Sequence, residues 1–87
     1  MKTFGFKKME SEVIVQYWDN GNKMSETPYK DGKEDGVSTY WYNDGKKEME
    51  ITSKDGVWDG VSTFWHPNGD KMSETLFRNG ERIKKVA

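Results

Sequence analysis

Gly21, Gly45 and Gly69 stand 24 residues apart, Gly32, Gly56 and Gly80 keep the same interval, and so do Gly36 and Gly60. Eight of the nine glycines therefore share one register, with no insertion or deletion. Whole segments recur with them. Asp35-Gly36-Val37-Ser38-Thr39 returns as Asp59-Gly60-Val61-Ser62-Thr63, and Lys23-Met24-Ser25-Glu26-Thr27 returns 48 residues later as Lys71-Met72-Ser73-Glu74-Thr75. A fixed period of this length marks stacked copies of one supersecondary unit, which excludes an irregular single-core domain.

Each unit reads as a β-hairpin. Gly36-Val37-Ser38-Thr39-Tyr40-Trp41-Tyr42 is β-branched and aromatic, the composition of a strand. Asn43-Asp44-Gly45-Lys46 follows it, and glycine after Asn or Asp supplies the positive φ of a tight turn. Trp18-Asp19-Asn20-Gly21 and His66-Pro67-Asn68-Gly69 serve the flanking units. Return strands end at Asp31-Gly32, Asp55-Gly56 and Asn79-Gly80, and Gly36 and Gly60 open the next outgoing strands. The expected fold is all-β: a single-layer antiparallel meander of three 24-residue hairpin repeats, with strands near 12–18, 23–30, 36–42, 47–54, 60–66 and 71–78. Residues 2–8 would add a seventh strand. The expected organisation is an N-terminal segment or edge strand over 1–11, repeats over 12–35, 36–59 and 60–82, and a C-terminal tail over 83–87.

Composition agrees with a thin sheet. Hydrophobic residues are only 32% of the 87 and charged residues are 33%, so a thick core is excluded. Aromatics at 14% set the chain apart from disordered segments, which are poor in them. Alternation gives two faces. Val13, Val15, Tyr17, Val37, Thr39, Trp41, Val61, Thr63 and Trp65 form the more apolar set, expected to be the better buried. Ile14, Gln16, Trp18, Ser38, Tyr40, Tyr42, Ser62, Phe64 and His66 form the other. Met24 and Met72 share a register that Met49 misses by one residue, which either a bulge or a local face change in the middle hairpin would explain.

The unit resembles the MORN repeat, in the variant form common in bacterial proteins. Trp41-Tyr42-Asn43-Asp44-Gly45-Lys46, then Lys54-Asp55-Gly56-Val57-Trp58-Asp59-Gly60-Val61, is similar to the variant pattern Y-Y-x-N-G-K followed by Y-K-N-G-x-x-x-G. The resemblance covers about residues 11–82. It departs at Thr52 and Ser53, where the other units carry Tyr29 and Phe77, and at Trp58, where a polar residue is usual. It implies an interaction scaffold, associated in some relatives with membranes or phospholipid enzymes, and antitoxin-like or immunity-like in many bacterial ones.

The residues offer little chemistry. His66 is the only histidine and cysteine is absent, so a two-His site, a Cys–His pair and disulfides are excluded. Ser25, Ser38, Ser62 and Ser73 are repeat-register strand residues, not nucleophiles. Glu48 with Glu50, and Asp55 with Asp59, are solvated acids too few for an EF-hand type of calcium loop. No catalysis, metal or cofactor is expected. A net charge of -1 does not suggest nucleic-acid binding, which needs a basic patch. Lys7-Lys8 and Arg82, Lys84, Lys85 fall short of the four to eight adjacent charges that mark anionic-lipid binding. No apolar stretch of signal-peptide or membrane-span length occurs, so the expected location is the cytoplasm.

What remains is a protein-binding module acting alone, expected to be a small bacterial or phage-encoded inhibitor that occludes an enzyme. The rival expectations are a phospholipid-associated scaffold and a homo-oligomer joined through edge strands. The candidate anchors are Trp18, Tyr40, Tyr42 and Phe64, joined by Val57 and Trp58 in an inter-hairpin turn with Asp55 and Asp59 as its polar rim. The sister turns carry Lys33-Glu34 and Glu81-Arg82, so the repeat itself does not require the Val-Trp pair.

Overall fold

The computed structural model describes residues 10–87. The strand expected over 2–8, and most of the 1–11 segment, lie outside them. Among the described residues nine strands form one antiparallel sheet: β1 (Ser11–Tyr17), β2 (Lys23–Lys30), β3 (Lys33–Glu34), β4 (Gly36–Trp41), β5 (Lys47–Lys54), β6 (Val57–Trp58), β7 (Gly60–Trp65), β8 (Lys71–Arg78) and β9 (Glu81–Lys85). The spatial order is β1-β2-β4-β5-β7-β8-β9, with β3 beside β2 and β6 beside β5. The sheet is 10 Å thick, a single layer.

Two kinds of turn alternate along it. On one side Gly21, Gly45 and Gly69 have φ of 92°, 96° and 97° and donate their N–H to Trp18, Tyr42 and His66 at 2.9, 3.0 and 2.9 Å. Asn20, Asp44 and Asn68 brace these loops by accepting the N–H two residues on, at 2.9, 3.0 and 2.9 Å. On the other side Asp31-Gly32, Asp55-Gly56 and Asn79-Gly80 take positive φ at both residues, the conformation of a type I′ turn. These tips dock on one another: the N–H of Gly56 reaches the carbonyl of Glu34 at 2.8 Å, and that of Gly80 reaches Trp58 at 2.7 Å.

Several expectations change. The bulge is not peculiar to the middle hairpin. Register shifts between Gln16/Tyr17, Tyr40/Trp41 and Phe64/Trp65 leave Met24, Glu48 and Met72 as the extra residue of each hairpin. Met49 is thereby an in-register residue opposite Tyr40 and Phe64, where the other units place Ser25 and Ser73. Val57 and Trp58 are not turn residues; they form β6, because the type I′ turn needs only Asp55 and Gly56. Residues 83–87 are not a loose tail. Residues 81–85 are β9 on β8, and Val86 and Ala87 donate N–H to the Glu74 carbonyl at 2.6 and 3.3 Å.

The two faces are also reversed in burial. Val13, Val37 and Val61 are 57%, 52% and 40% exposed, whereas Ser38 and Ser62, on the opposite face, are 1% and 0% exposed. Ser25, Thr27, Ile51, Ser53 and Thr75 join them in that buried floor, and Thr63 alone is buried on the valine side. The reason is size. In a one-layer sheet a small residue is covered by large neighbours on adjacent strands, while a valine has nothing above it. Side-chain hydrophobicity did not decide the buried face; the presence of larger neighbours did.

Candidate partner-binding surface

Five of the expected anchors share one face. Tyr40 faces Ser25 and Met49 across its neighbouring strands, and Phe64 faces Met49 and Ser73. Trp18, Tyr42 and His66 hold one position in successive units, and alternation places Trp18 and Tyr42 on this serine-floored face. Both are latched from below. Trp18 Nε1–H donates to the Trp41 carbonyl at 3.2 Å, and the Tyr42 hydroxyl donates to the Trp65 carbonyl at 2.7 Å. Each side chain therefore ties its hairpin to the next one and stays half-buried.

Trp58 is the fifth. It pairs with Ser53 across β5, so it lies over the same floor. Its ring meets Phe77 edge-on, with centroids 4.9 Å apart and planes at 83°, a favoured aromatic geometry. The position is informative. Cross-strand pairs at this place are Tyr29–Glu34 in the first unit and Phe77–Arg82 in the third, but Ser53–Trp58 in the middle. The aromatic ring has crossed from one strand to its partner. Trp58 thus fills the space above Ser53 and still leaves 37% of its surface exposed.

Asp55, Asp59 and Val57 are not gathered with these rings. Asp55 belongs to a turn tip, where φ is 51°. Asp59 breaks the line between β6 and β7, and its N–H donates to the Thr52 carbonyl at 2.9 Å. Val57 pairs with Lys54 and looks out from the valine face. Among the described residues no three of His, Cys, Asp or Glu come together as a metal site requires.

The valine face, which sequence reasoning took for core, is chemically ordered too. Lys23, Lys47 and Lys71 bind Glu26, Glu50 and Glu74 at 2.8, 2.7 and 3.1 Å. Lys23 and Lys47 also sit 5.7 Å over the rings of Trp41 and Trp65. The hydrogen bond that Lys23 donates to the Glu26 carboxylate, reinforced by the carboxylate's charge, raises the Lys23 ammonium above its ordinary pKa. The 24-residue recurrence of Lys, Glu and Val would have revealed this face, had it been read for exposure instead of burial.

A family model described as the MORN repeat variant matches residues 13–31, 34–55 and 58–79, three consecutive copies over most of the chain. Comparison with curated proteins and with solved structures found no match. The matched segments carry the hairpins described above, and the chain belongs to the MORN repeat variant family, whose repeats form binding or scaffold modules.

Proposed function

We propose that this chain is a non-catalytic protein-binding module that works as a small inhibitor, antitoxin-like, immunity-like or phage-encoded, by covering an enzyme in the cytoplasm. The observation that carries the reading is the gathering of Trp18, Tyr40, Tyr42, Trp58 and Phe64 on one face of an open sheet. Large rings on a rigid support make binding anchors at low cost in side-chain entropy, and Trp and Tyr dominate interface energetics. The latches on Trp18 and Tyr42 supply that rigidity before any partner arrives.

The test is affinity capture from the native host or its phage with the parent chain and with Tyr40→Ala/Phe64→Ala. The expected result is an enzyme held by the parent, lost by the variant, and inhibited in proportion to the amount of chain added. Capture that ignores both substitutions, or a captured enzyme that keeps its activity, would overturn the proposal. Binding to anionic vesicles instead would favour the phospholipid-associated scaffold.

A further inference from the structure

On the valine face, three strands carry the same charge pattern. Glu26-Thr27-Pro28-Tyr29-Lys30, Glu50-Ile51-Thr52-Ser53-Lys54 and Glu74-Thr75-Leu76-Phe77-Arg78 each direct an acid, a centre and a base to that side. The centres Pro28, Thr52 and Leu76 pair with Val13, Val37 and Val61, so one row, apolar but for Thr52 with its hydroxyl held by the Val61 carbonyl, crosses the sheet. The acids form a parallel row about 7 Å to one side and the bases a row about 7 Å to the other. Lys30, Lys54 and Arg78 have no ion-pair partner among the described residues.

We propose that this face packs against the same face of a second copy, about a two-fold axis that runs across the strands along the valine row. That rotation exchanges the two charged rows and leaves the apolar row on itself. Lys30, Lys54 and Arg78 of one copy then meet Glu26, Glu50 and Glu74 of the other, strand over strand. One step further out, the turn acids Asp31 and Asp55 meet the Lys23 and Lys47 row. The surface is complementary to itself, as a closed two-fold interface requires. Two sheets packed this way stand about 10 Å apart, with both valine rows inside. The exposure of Val13, Val37 and Val61 is the apolar area that such a packing removes from water. The serine-floored aromatic face stays outside the dimer, so failure of this interface and failure of the inhibitor reading are separate results.

The experiment is charge exchange read by analytical ultracentrifugation. One variant carries Lys30→Glu, Lys54→Glu and Arg78→Glu; the other carries Glu26→Lys, Glu50→Lys and Glu74→Lys. The parent should dimerise. Each variant alone sets like charges opposite each other, and its dimer should weaken by at least ~100-fold. Mixing the two should restore a 1:1 heterodimer, since every contact is again opposite in sign. A parent that stays monomeric up to roughly 1 mM, a dimer that survives in either variant, or a mixture that fails to associate would overturn the proposal. If a triple variant does not fold, Val37→Lys at its exposed position serves instead, checked by circular dichroism. A folded Val37→Lys chain should lose at least ~10-fold in dimer affinity, and an unchanged affinity would count against the interface.

Discussion

The first and middle repeats share a backbone and solve one packing problem in opposite ways. In the first, Tyr29 stands on the long strand, Glu34 stands across from it, and the buried Ser38 hydroxyl reaches the Glu34 carboxylate at 3.5 Å. In the middle, Ser53 replaces the tyrosine, Trp58 replaces the glutamate, and the Ser53 and Ser62 hydroxyls are buried without a partner among the described residues. The tryptophan gains an edge contact with Phe77. It loses the acceptor that the serine one strand later would use. The difference shows that in a one-layer sheet the aromatic cover can come from either strand of a pair, and that polar satisfaction follows it.

The largest expected effect lies where both units are alike. Gly36 and Gly60 have φ of 114° and 121°, and a Cβ there would stand 3.1 Å from Pro28 Cγ and 3.0 Å from Thr52 Cγ2. Gly60→Ala therefore combines a strained backbone with a collision into the neighbouring strand. It should cost about 3 kcal/mol by thermal or urea unfolding. Gly21→Ala, at φ 92° with nothing within 4 Å, should cost only about 1 kcal/mol. Equal costs would mean that the close approach at Thr52 does not matter.

Trp58→Ala comes next. It strips the cover from Ser53 and removes the Phe77 contact, so about 2 kcal/mol of stability should go with it. The matching change in the first unit, Glu34→Ala, removes no aromatic cover but leaves the buried Ser38 hydroxyl without its acceptor, and should cost about 1 kcal/mol. Melting temperature and partner affinity, measured side by side on Trp58→Ala, separate its two roles. A lower melting point with affinity intact assigns the ring to the fold, and the reverse assigns it to a partner. Grafting the first unit's solution onto the middle one sharpens the comparison. Ser53→Tyr with Trp58→Glu should lie within about 1 kcal/mol of the parent. A double variant as unstable as Trp58→Ala would show that the units are not interchangeable.

The glycine register made the turns and six of the strands legible, because positive φ at fixed intervals leaves few alternatives to hairpins. The short strands β3 and β6 were hidden by their own turn residues, Asp31-Gly32 and Asp55-Gly56: two residues suffice for a type I′ turn, so pairing resumes at once. The ninth strand was hidden because Lys84 stands where Gly36 and Gly60 open the next outgoing strand, and no β-branched run marks Glu81–Lys85 as the counterpart of β3 and β4. At the site, the spacing of Trp18 and Tyr42 was visible but their latches were not, since each accepts its role from a carbonyl 23 residues away. Burial was misjudged for the reason the serines give. Alternation tells which residues share a face, but coverage depends on the size of the neighbours on adjacent strands.

The smallest expected effect is the sharpest, because its sign differs between the two units. Ser62 is fully buried and its hydroxyl has no partner among the described residues, so it carries the desolvation cost of a polar group and no hydrogen bond in return. Ser62→Ala removes that oxygen, leaves almost the same volume, and should raise stability by about 1 kcal/mol. Ser38, at 1% exposure, has the Glu34 carboxylate within 3.5 Å. Ser38→Ala gives up that long bond and should lower stability by about 0.5 kcal/mol. In a Trp58→Glu background the carboxylate stands where Glu34 stands in the first unit, and the gain from Ser62→Ala should vanish. Urea unfolding of the parent, the two serine variants, Trp58→Glu and Trp58→Glu with Ser62→Ala measures all of this. If both serines respond with the same sign, the carboxylate is not what distinguishes the two units, and the exchange of Glu34 for Trp58 has no consequence for the buried hydroxyls.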